Sequence, residues 1–205
     1  MSELLQVFDE HGDKAGVEER DEVHKKGLWH QTFHCWLVEL ISGEPHLYFQ
    51  LRAKDKKDFP ATFDITAAGH IEAHEGVVEA GIREMEEELG FKVARQELSF
   101  QGCYRQQVIT ERMIDREFCH VYFYENTIKP VFQLTEEVDD VIRISCKEFA
   151  KVLNGKTIVV DSLIDGSSRS VSNNNLCPSG EGYFSFILDK LKLYYKGTCF
   201  DSYQG

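Results

Sequence analysis

Runs of apolar residues separated by turn residues indicate a series of short β-strands along this chain. The runs richest in aromatic and β-branched residues predict strands over residues 4–9, 15–18, 33–40, 45–52, 63–67, 97–104, 118–124 and 138–144. The first two strands flank a polar turn and form a candidate hairpin. The next two flank Ser42 and Gly43 and are expected to pair.

Helical periodicity predicts short helices over residues 21–26 and 147–153, and the first of these ends at Gly27. A further apolar repeat over residues 183–195 predicts a terminal helix that docks on the domain. Residues 165–182 are rich in Gly, Ser and Asn, and we expect them to form a mobile or poorly packed linker. The mixed order of strands around one central helix favours an α/β fold of the α/β/α sandwich type.

The central helix, predicted over residues 77–89, separates an apolar face from an acidic one. The apolar face carries Val78, Ile82, Met85 and Leu89, and the acidic face carries Glu84, Glu87 and Glu88. Three carboxylates on one face repel each other unless a cation neutralises them, and their hard oxygen atoms suit Mg²⁺ or Mn²⁺. Gly69 precedes the helix, where a loop can bring a backbone carbonyl to the same metal. The alternative is a solvated acidic face.

The stretch GHIEAHEGVVEAGIREMEEELGF, residues 69–91, places glycines, acids, an arginine and apolar residues at the spacings of a Nudix box. On this pattern the chain resembles the Nudix superfamily. The resemblance implies a Nudix-fold α/β/α sandwich with a mixed sheet, an N-terminal β extension and a C-terminal helix. It also implies that Glu84, Glu87 and Glu88 hold a divalent metal on a substrate diphosphate, while Arg83 pairs with Glu75 and keeps the acidic cluster in place.

We expect one Nudix domain over residues 1–205. Within it, residues 1–28 form the N-terminal extension, 29–160 the core, 161–182 the mobile linker, and 183–205 the C-terminal helix and tail.

The net charge of −12 argues against nucleic-acid polymers and anionic membranes as partners, but it leaves small diphosphates open because metal ions invert the local field. The sequence lacks a membrane-spanning apolar run and a signal peptide, so a cytoplasmic location is expected. A homodimer remains open. The six cysteines form no CxxC pair, which disfavours a zinc site, and Cys35 and Cys119 are expected to be buried free thiols.

Motifs outside the box, among them Gly27-Leu28-Trp29-His30 and His34-Cys35-Trp36, resemble the Nudix branch related to isopentenyl-diphosphate isomerase. That resemblance assigns a catalytic cysteine to the position of Ala68, and alanine cannot transfer a proton. It also implies metal-site roles for His24, His30, His70 and Glu117 and an active-site role for Tyr104. For His30 and His70 a hydrogen-bonded structural role is the favoured interpretation.

Substrate contacts are expected from Arg52, which ends a strand leading toward the box, and from Tyr104. For the neighbouring Lys54, Lys56 and Lys57, two interpretations are equally favoured: the side chains contact phosphate, or they are solvated. Candidates for stacking on a base are Trp29, Trp36, Phe59 and Tyr104, although core packing is favoured for Trp36. The general base is Glu84 or Glu117, with Glu136 and Glu137 as rivals.

The function hypothesis that follows is a metal-dependent hydrolase cleaving a nucleoside diphosphate linked to another moiety. The alternatives are an isopentenyl-diphosphate isomerase-like enzyme and a non-catalytic sensor of a nucleotide or metabolite. Ala68 counts against the isomerase, and the complete acidic face counts against the sensor.

Overall fold

A computed structural model of the protein describes residues 3–90, 92–125 and 131–196. Phe91 of the box, Cys199 and the tail from residue 197 lie outside the described residues. The strands are β1 (Leu4–Phe8), β2 (Lys14–Glu19), β3 (Trp29–Ile41), β4 (Glu44–Arg52), β5 (Phe63–Ile65), β6 (Ala67–His70), β7 (Leu98–Ile109), β8 (Ile114–Glu125), β9 (Val138–Ser145), β10 (Ile158–Asp161) and β11 (Ser168–Val171). The helices are α1 (Arg20–Lys26), α2 (Val77–Leu89), α3 (Cys146–Leu153) and α4 (Tyr183–Tyr194).

Strand β3 is the central strand of the large mixed sheet. It runs parallel to β8 over the pairs from Trp29↔Arg116 to Val38↔Glu125. Antiparallel partners β1, β6 and β4 follow one another along β3, at residues 29–30, 32–35 and 38–41. Further out, β4 pairs with β5 and β9, and β7 pairs with β8. One strand therefore brings the N-terminal extension, the start of the box and β8 together.

Both faces of the sheet are buried, because successive residues of β3 enter different cores. Phe33, Cys35 and Leu37 pack with Met85 and Leu89 of α2. On the other face, Trp36 and Val38 pack in a core closed by α3 and α4, which contribute Phe149, Val152, Tyr183, Ile187 and Leu191. The alternation gives a three-layer arrangement. The predicted α/β/α sandwich is thus confirmed, with the N-terminal β1–β2 hairpin and the C-terminal helix in place.

The expectation of a poorly packed linker over residues 165–182 is wrong. β10 and β11 form a hairpin, and Val171 and Leu176 are buried in the core. The Cys177 amide donates to the Phe63 carbonyl at 2.7 Å. The short polar residues that suggested disorder instead satisfy tight turns: Asp165, for example, accepts bonds from the backbone and hydroxyl of Ser167.

Strands β7 and β8 are longer than the strands predicted over residues 97–104 and 118–124, and they pair as a hairpin that includes most of residues 106–115, to which no element was assigned. Cys35 and Cys119 are buried free thiols, as expected. Among the described residues, no helix has the length and apolarity needed to cross a membrane. The single domain of residues 1–205, the cytoplasmic location and the homodimer stay predictions.

Gly81 sets the contact between α2 and β3, because a Cβ atom there would overlap the ring of Phe33. We expect Gly81→Ala to lower the free energy of unfolding by about 1–3 kcal/mol, since the clash outweighs the gain in helix propensity. Urea denaturation measures the change. Gly76→Ala is the matched control, because its Cβ would meet only the carboxylate of exposed Glu79. Equal stability of the two variants would contradict this packing.

Candidate active site

Two carboxylates of α2 are buried against strand β6. Glu84 is 9% exposed and Glu88 is 2% exposed, whereas Glu87 is exposed. The carboxylate of Glu84 lies directly over the Cα atom of Gly69, and any Cβ at that position would overlap it. Glu88 accepts hydrogen bonds from the Gln50 side chain and the Ala68 amide, each at 3.0 Å. Within the box, the side chains of Glu84 and Glu88 therefore contact the backbone of residues 68 and 69.

Arg83 connects the acids of the cluster. Its Nε and Nη2 donate to the two carboxylate oxygens of Glu75, each at 3.0 Å. Its Nη1 donates to Glu84 at 2.7 Å and to Glu87 at 2.9 Å, and Nη2 also reaches the His70 carbonyl at 3.2 Å. The predicted Arg83–Glu75 pair is present. One guanidinium thus fixes the relative positions of three carboxylates.

Burial raises the pKa values of the two buried carboxyl groups, Glu84 and Glu88. Desolvation raises the pKa of Glu84 to about 7, even though Arg83 opposes the shift. Burial, with Glu84 as the next cause, raises the pKa of Glu88 to about 8. Carboxyl oxygens in this state suit a divalent cation, which would favour their ionised forms. The donor set therefore fits Mg²⁺ or Mn²⁺, and Gly69 lines the same cleft.

A cleft of about 470 Å³ includes this cluster in its lining, and the lining carries charges of both signs. The acids of α2 and Arg83 line it together with the cations Arg20, Arg52, Lys56 and Lys57 and the further acids Glu3, Asp58 and Glu72. Arg52 is fixed there by Asp64 at 3.1 Å and by the Asp58 carbonyl. Glu137 also lines the cleft and pairs with Lys56 at 2.5 Å, whereas Glu136 and Lys54 are exposed and lie outside the lining. The cleft can hold an anionic group between metal-binding acids and fixed cations.

Three histidines converge beside the cleft. The rings of His24, His30 and His70 lie 5.2 Å apart in every pairing, so the structure unites side chains from α1, β3 and β6. Asp115 joins them from β8: its Oδ1 lies 3.7 Å from Nε2 of His24 and 3.5 Å from Nε2 of His30. We name these four residues the histidine centre.

Three polar atoms of the histidine centre are buried without a hydrogen-bond partner. Nε2 of His24, Nε2 of His30 and Oδ1 of Asp115 have no partner among the described residues. Nδ1 of His30 lies 3.2 Å from the Leu28 carbonyl, so the tautomer that donates there leaves the Nε2 lone pair facing the centre. Burial lowers the pKa of His24 to about 4 and of His30 to about 3, which keeps both imidazoles neutral. This donor set fits a transition metal.

The histidine centre was only partly visible in the sequence. A hydrogen-bonded role was favoured for His30 and His70, and both do have such contacts, His70 with Glu3 at 3.2 Å. Their convergence is an additional property that depends on the pairing of β3 with β6. Asp115 was missed. Its spacing of two residues from Glu117 was the available signal, because such residues share one face of a strand.

A second space of about 130 Å³, which we name the inner cavity, is lined by Glu117 together with His24, His70 and Asp115 of the histidine centre. Glu117 accepts a 2.5 Å hydrogen bond from Gln106 and lies 4.0 Å from His34. Burial would raise its pKa, but the hydrogen bond from the Gln106 amide is among the contacts that hold the pKa of this carboxyl below its usual value. Ala68 lines both the cleft and the inner cavity, so the position assigned to a cysteine by the isomerase resemblance is at the junction.

Of the candidate aromatic contacts, only Phe59 lines the inner cavity. Tyr104 lines neither cavity: its hydroxyl donates to the Glu181 carbonyl at 2.5 Å and its ring packs on Phe186. Trp36 is buried in the core, as favoured. Trp29 lies under the guanidinium of Arg105 at 4.1 Å. Tyr104 therefore lies outside both spaces in which the expected substrate contact could occur.

Comparison with known proteins identifies the family. The NUDIX domain profile matches residues 30–160. An uncharacterized Nudix hydrolase of Clostridium acetobutylicum is 34% identical over 200 residues, covering 92% of this chain and 97% of that protein. The crystal structure of DR0079 from Deinococcus radiodurans superposes with a TM-score of 0.55 and 20% identity, over 75% of this chain and 91% of that chain.

The isomerase resemblance also has a counterpart. Isopentenyl-diphosphate Delta-isomerase 2 of Photorhabdus laumondii is 23% identical over 172 residues, which covers 82% of this chain and 94% of that protein. The similarity therefore extends beyond the box on both sides.

The raised pKa of Glu88, about 8 against an ordinary 4.5, predicts how stability depends on pH without metal. A carboxyl with a higher pKa in the folded state stabilises the fold below its unfolded pKa, and this stability is lost as pH rises through the folded value. In EDTA, we expect the free energy of unfolding to fall between about pH 5 and about pH 8, and to fall less in Glu88→Gln. Urea titrations at each pH measure it. The same fall in both proteins would contradict the burial argument.

Proposed function

Because the chain belongs to the NUDIX domain family and is a Nudix-type hydrolase acting on a pyrophosphate bond, we propose that its reaction requires Mg²⁺ or Mn²⁺ and that its substrate is a nucleoside diphosphate linked to another moiety. One observation carries the metal requirement. Glu84 and Glu88 are buried side by side at the wall of an open cleft, and Arg83 alone of the cleft's cations contacts Glu84. A divalent ion is the natural complement of this arrangement.

The residues that would hold the ion are Glu84, Glu87 and Glu88, with the carbonyl of Gly69. When bound, the ion would supply positive charge that neutralises the charge developing on the leaving phosphate. The protein's own contribution is positional. Arg83 keeps the carboxylates in one arrangement, and Arg52 and Lys56 line the same cleft, where their positive charge would suit the other phosphate oxygens.

Glu84 is the stronger candidate for the base that takes a proton from the attacking water. Its carboxylate lines the cleft, where the diphosphate would lie, whereas Glu117 lines only the inner cavity. Glu117 lies beside His34 and near the histidine centre, so a role as a ligand there suits it better. Glu137 lines the cleft but is engaged by Lys56.

A second candidate function, an isomerase acting on isopentenyl diphosphate, is favoured by the convergence of His24, His30 and His70. Ala68 opposes it, because a methyl group at the junction of the two cavities cannot exchange a proton with substrate. A sensor that binds without turnover is the third hypothesis.

A panel of diphosphates that includes ADP-ribose and isopentenyl diphosphate, assayed with Mg²⁺ and resolved by mass, separates the three functions. We expect cleavage of the pyrophosphate bond in at least one compound. Conversion of isopentenyl diphosphate to an isomer without release of phosphate would replace hydrolysis by the isomerase. Binding without any product would leave the sensor.

We expect Glu87→Gln to lower kcat by about 100-fold or more while the fold remains intact, because the variant removes a metal-binding charge from an exposed position. Steady-state kinetics on the cleaved diphosphate and circular dichroism measure the two properties. Glu86→Gln is the matched control. Glu86 is exposed on the same helix and pairs with Lys92 at 3.2 Å, so its loss should leave kcat nearly unchanged. Wild-type turnover in Glu87→Gln would falsify the metal role.

The histidine centre should bind a transition metal independently of the acidic cluster. We expect metal analysis of dialysed protein loaded with Mn²⁺ or Zn²⁺ to show about one ion fewer per chain in His30→Asn than in wild type. His74→Asn, altered at an exposed position, is the control and should keep the wild-type content. Equal metal content in His30→Asn and wild type would contradict this site.

A further inference from the structure

Gln106 on β7 lies directly opposite Glu117 on β8, and its side-chain amide makes two hydrogen bonds. Nε2 donates to Glu117 Oε2 at 2.5 Å, and Oε1 accepts from the Gly180 amide at 3.0 Å. Gln106 is 8% exposed, so water does not replace either bond easily. A carboxylate can only accept and a backbone N–H can only donate, so only this orientation of the amide satisfies both partners.

The second partner of Gln106 belongs to a segment that we name the strap, residues 177–184. Its first residue, Cys177, donates its amide to the Phe63 carbonyl at 2.7 Å. Near its other end, the Tyr183 hydroxyl accepts from Trp36 at 3.1 Å and bonds His34 at 2.8 Å. The strap lies outside residues 30–160, the part matched by the NUDIX profile.

The strap is pressed against Gln106 between these two anchors. A Cβ atom at Gly180 would lie 2.5 Å from the Cβ of Gln106, so this position admits no side chain. Cys177, Ser179 and Tyr183 of the strap line the inner cavity together with Glu117. The same amide therefore contacts both the wall of this cavity and the carboxylate inside it.

We propose that Gln106 is a positioning residue that holds the Glu117 carboxylate and the strap in one fixed relation, so that the wall of the inner cavity and Glu117 are set together. The kinetic part of this inference rests on the proposed hydrolase function, and the structural part does not. The inner cavity, at about 130 Å³, is close to the size of a cavity of about 150 Å³ that accepts benzene. The strap and Glu117 therefore line the smaller of two adjoining spaces, next to the cleft in which the diphosphate would lie.

The test uses Gln106→Met, which keeps the size of the side chain and removes both bonds. With whichever of ADP-ribose and isopentenyl diphosphate is turned over, we expect kcat to fall by about 10- to 100-fold, as for loss of a hydrogen bond to a charged group, with a smaller change in KM. Hydrogen–deuterium exchange of the strap should become faster. Gln107→Met is the control, because Gln107 is exposed and bonds Arg116 at 2.9 Å.

A double-variant cycle distinguishes positioning from a general structural effect. If Gln106 acts through Glu117, Gln106→Met should cause little further loss of kcat in a Glu117→Gln background. Losses that multiply in the double variant would overturn the proposal. If Gln106→Met does not fold, Gly180→Ala displaces the strap from the other side and should also lower kcat and speed exchange.

Failure of this inference and failure of the proposed function give different results. If the wild type cleaves no compound of the diphosphate panel, the hydrolase proposal fails, and the exchange measurement still tests Gln106. Unchanged exchange of the strap in both Gln106→Met and Gly180→Ala would overturn the inference even in a fully active enzyme.

Discussion

The constraint on which the site depends is the burial of two like-charged carboxylates, Glu84 and Glu88, between α2 and β6. Taking one carboxylate out of water is unfavourable, and a neighbouring second charge makes it more so. The chain meets this constraint with Arg83 on one side and with the backbone of residues 68 and 69 on the other. Gly69 is required because the Glu84 carboxylate occupies the space of a side chain. The negative charge of these carboxylates that is not compensated faces the cleft, where a cation would neutralise it.

Strand β6 has only four residues, yet it joins the two groups of metal-ligating side chains. The Ala68 amide bonds Glu88, Gly69 receives Glu84, and His70 belongs to the histidine centre. β3 holds β6 on one side and β8 on the other, so Asp115 and Glu117 reach the same region from a strand far away in sequence. A single sheet thus places an acidic cleft and a neutral, histidine-rich centre next to each other, and the two differ in the metals that they suit.

Local patterns predicted what depends on local spacing. The helix over residues 77–89 and its acidic face follow from neighbours within a few residues along the chain, and both are present. The Arg83–Glu75 pair, which the Nudix resemblance implied, is present as well. The histidine centre depends on the pairing of β3 with β6 and β8, which no local pattern reports, so the convergence of His30 with Asp115 was not predicted. Residues 165–182 were mistaken for a poorly packed linker because Gly, Ser and Asn occur in tight turns as well as in disordered segments. Tyr104 was assigned to the active site by resemblance. In the observed strand register, however, it is Gln106, two residues further along β7, that lies opposite Glu117.

Calorimetry of Mg²⁺ binding, repeated in buffers of different ionisation enthalpy, tests the central claim most directly, because it counts the protons released as the ion binds. With pKa values of about 7 for Glu84 and about 8 for Glu88 in the cation-free protein, binding near neutral pH should release about one proton per chain. The release should disappear when both glutamates are replaced by glutamine. Binding without proton release, or no binding at millimolar Mg²⁺, would contradict the view that these buried carboxylates are completed by a cation.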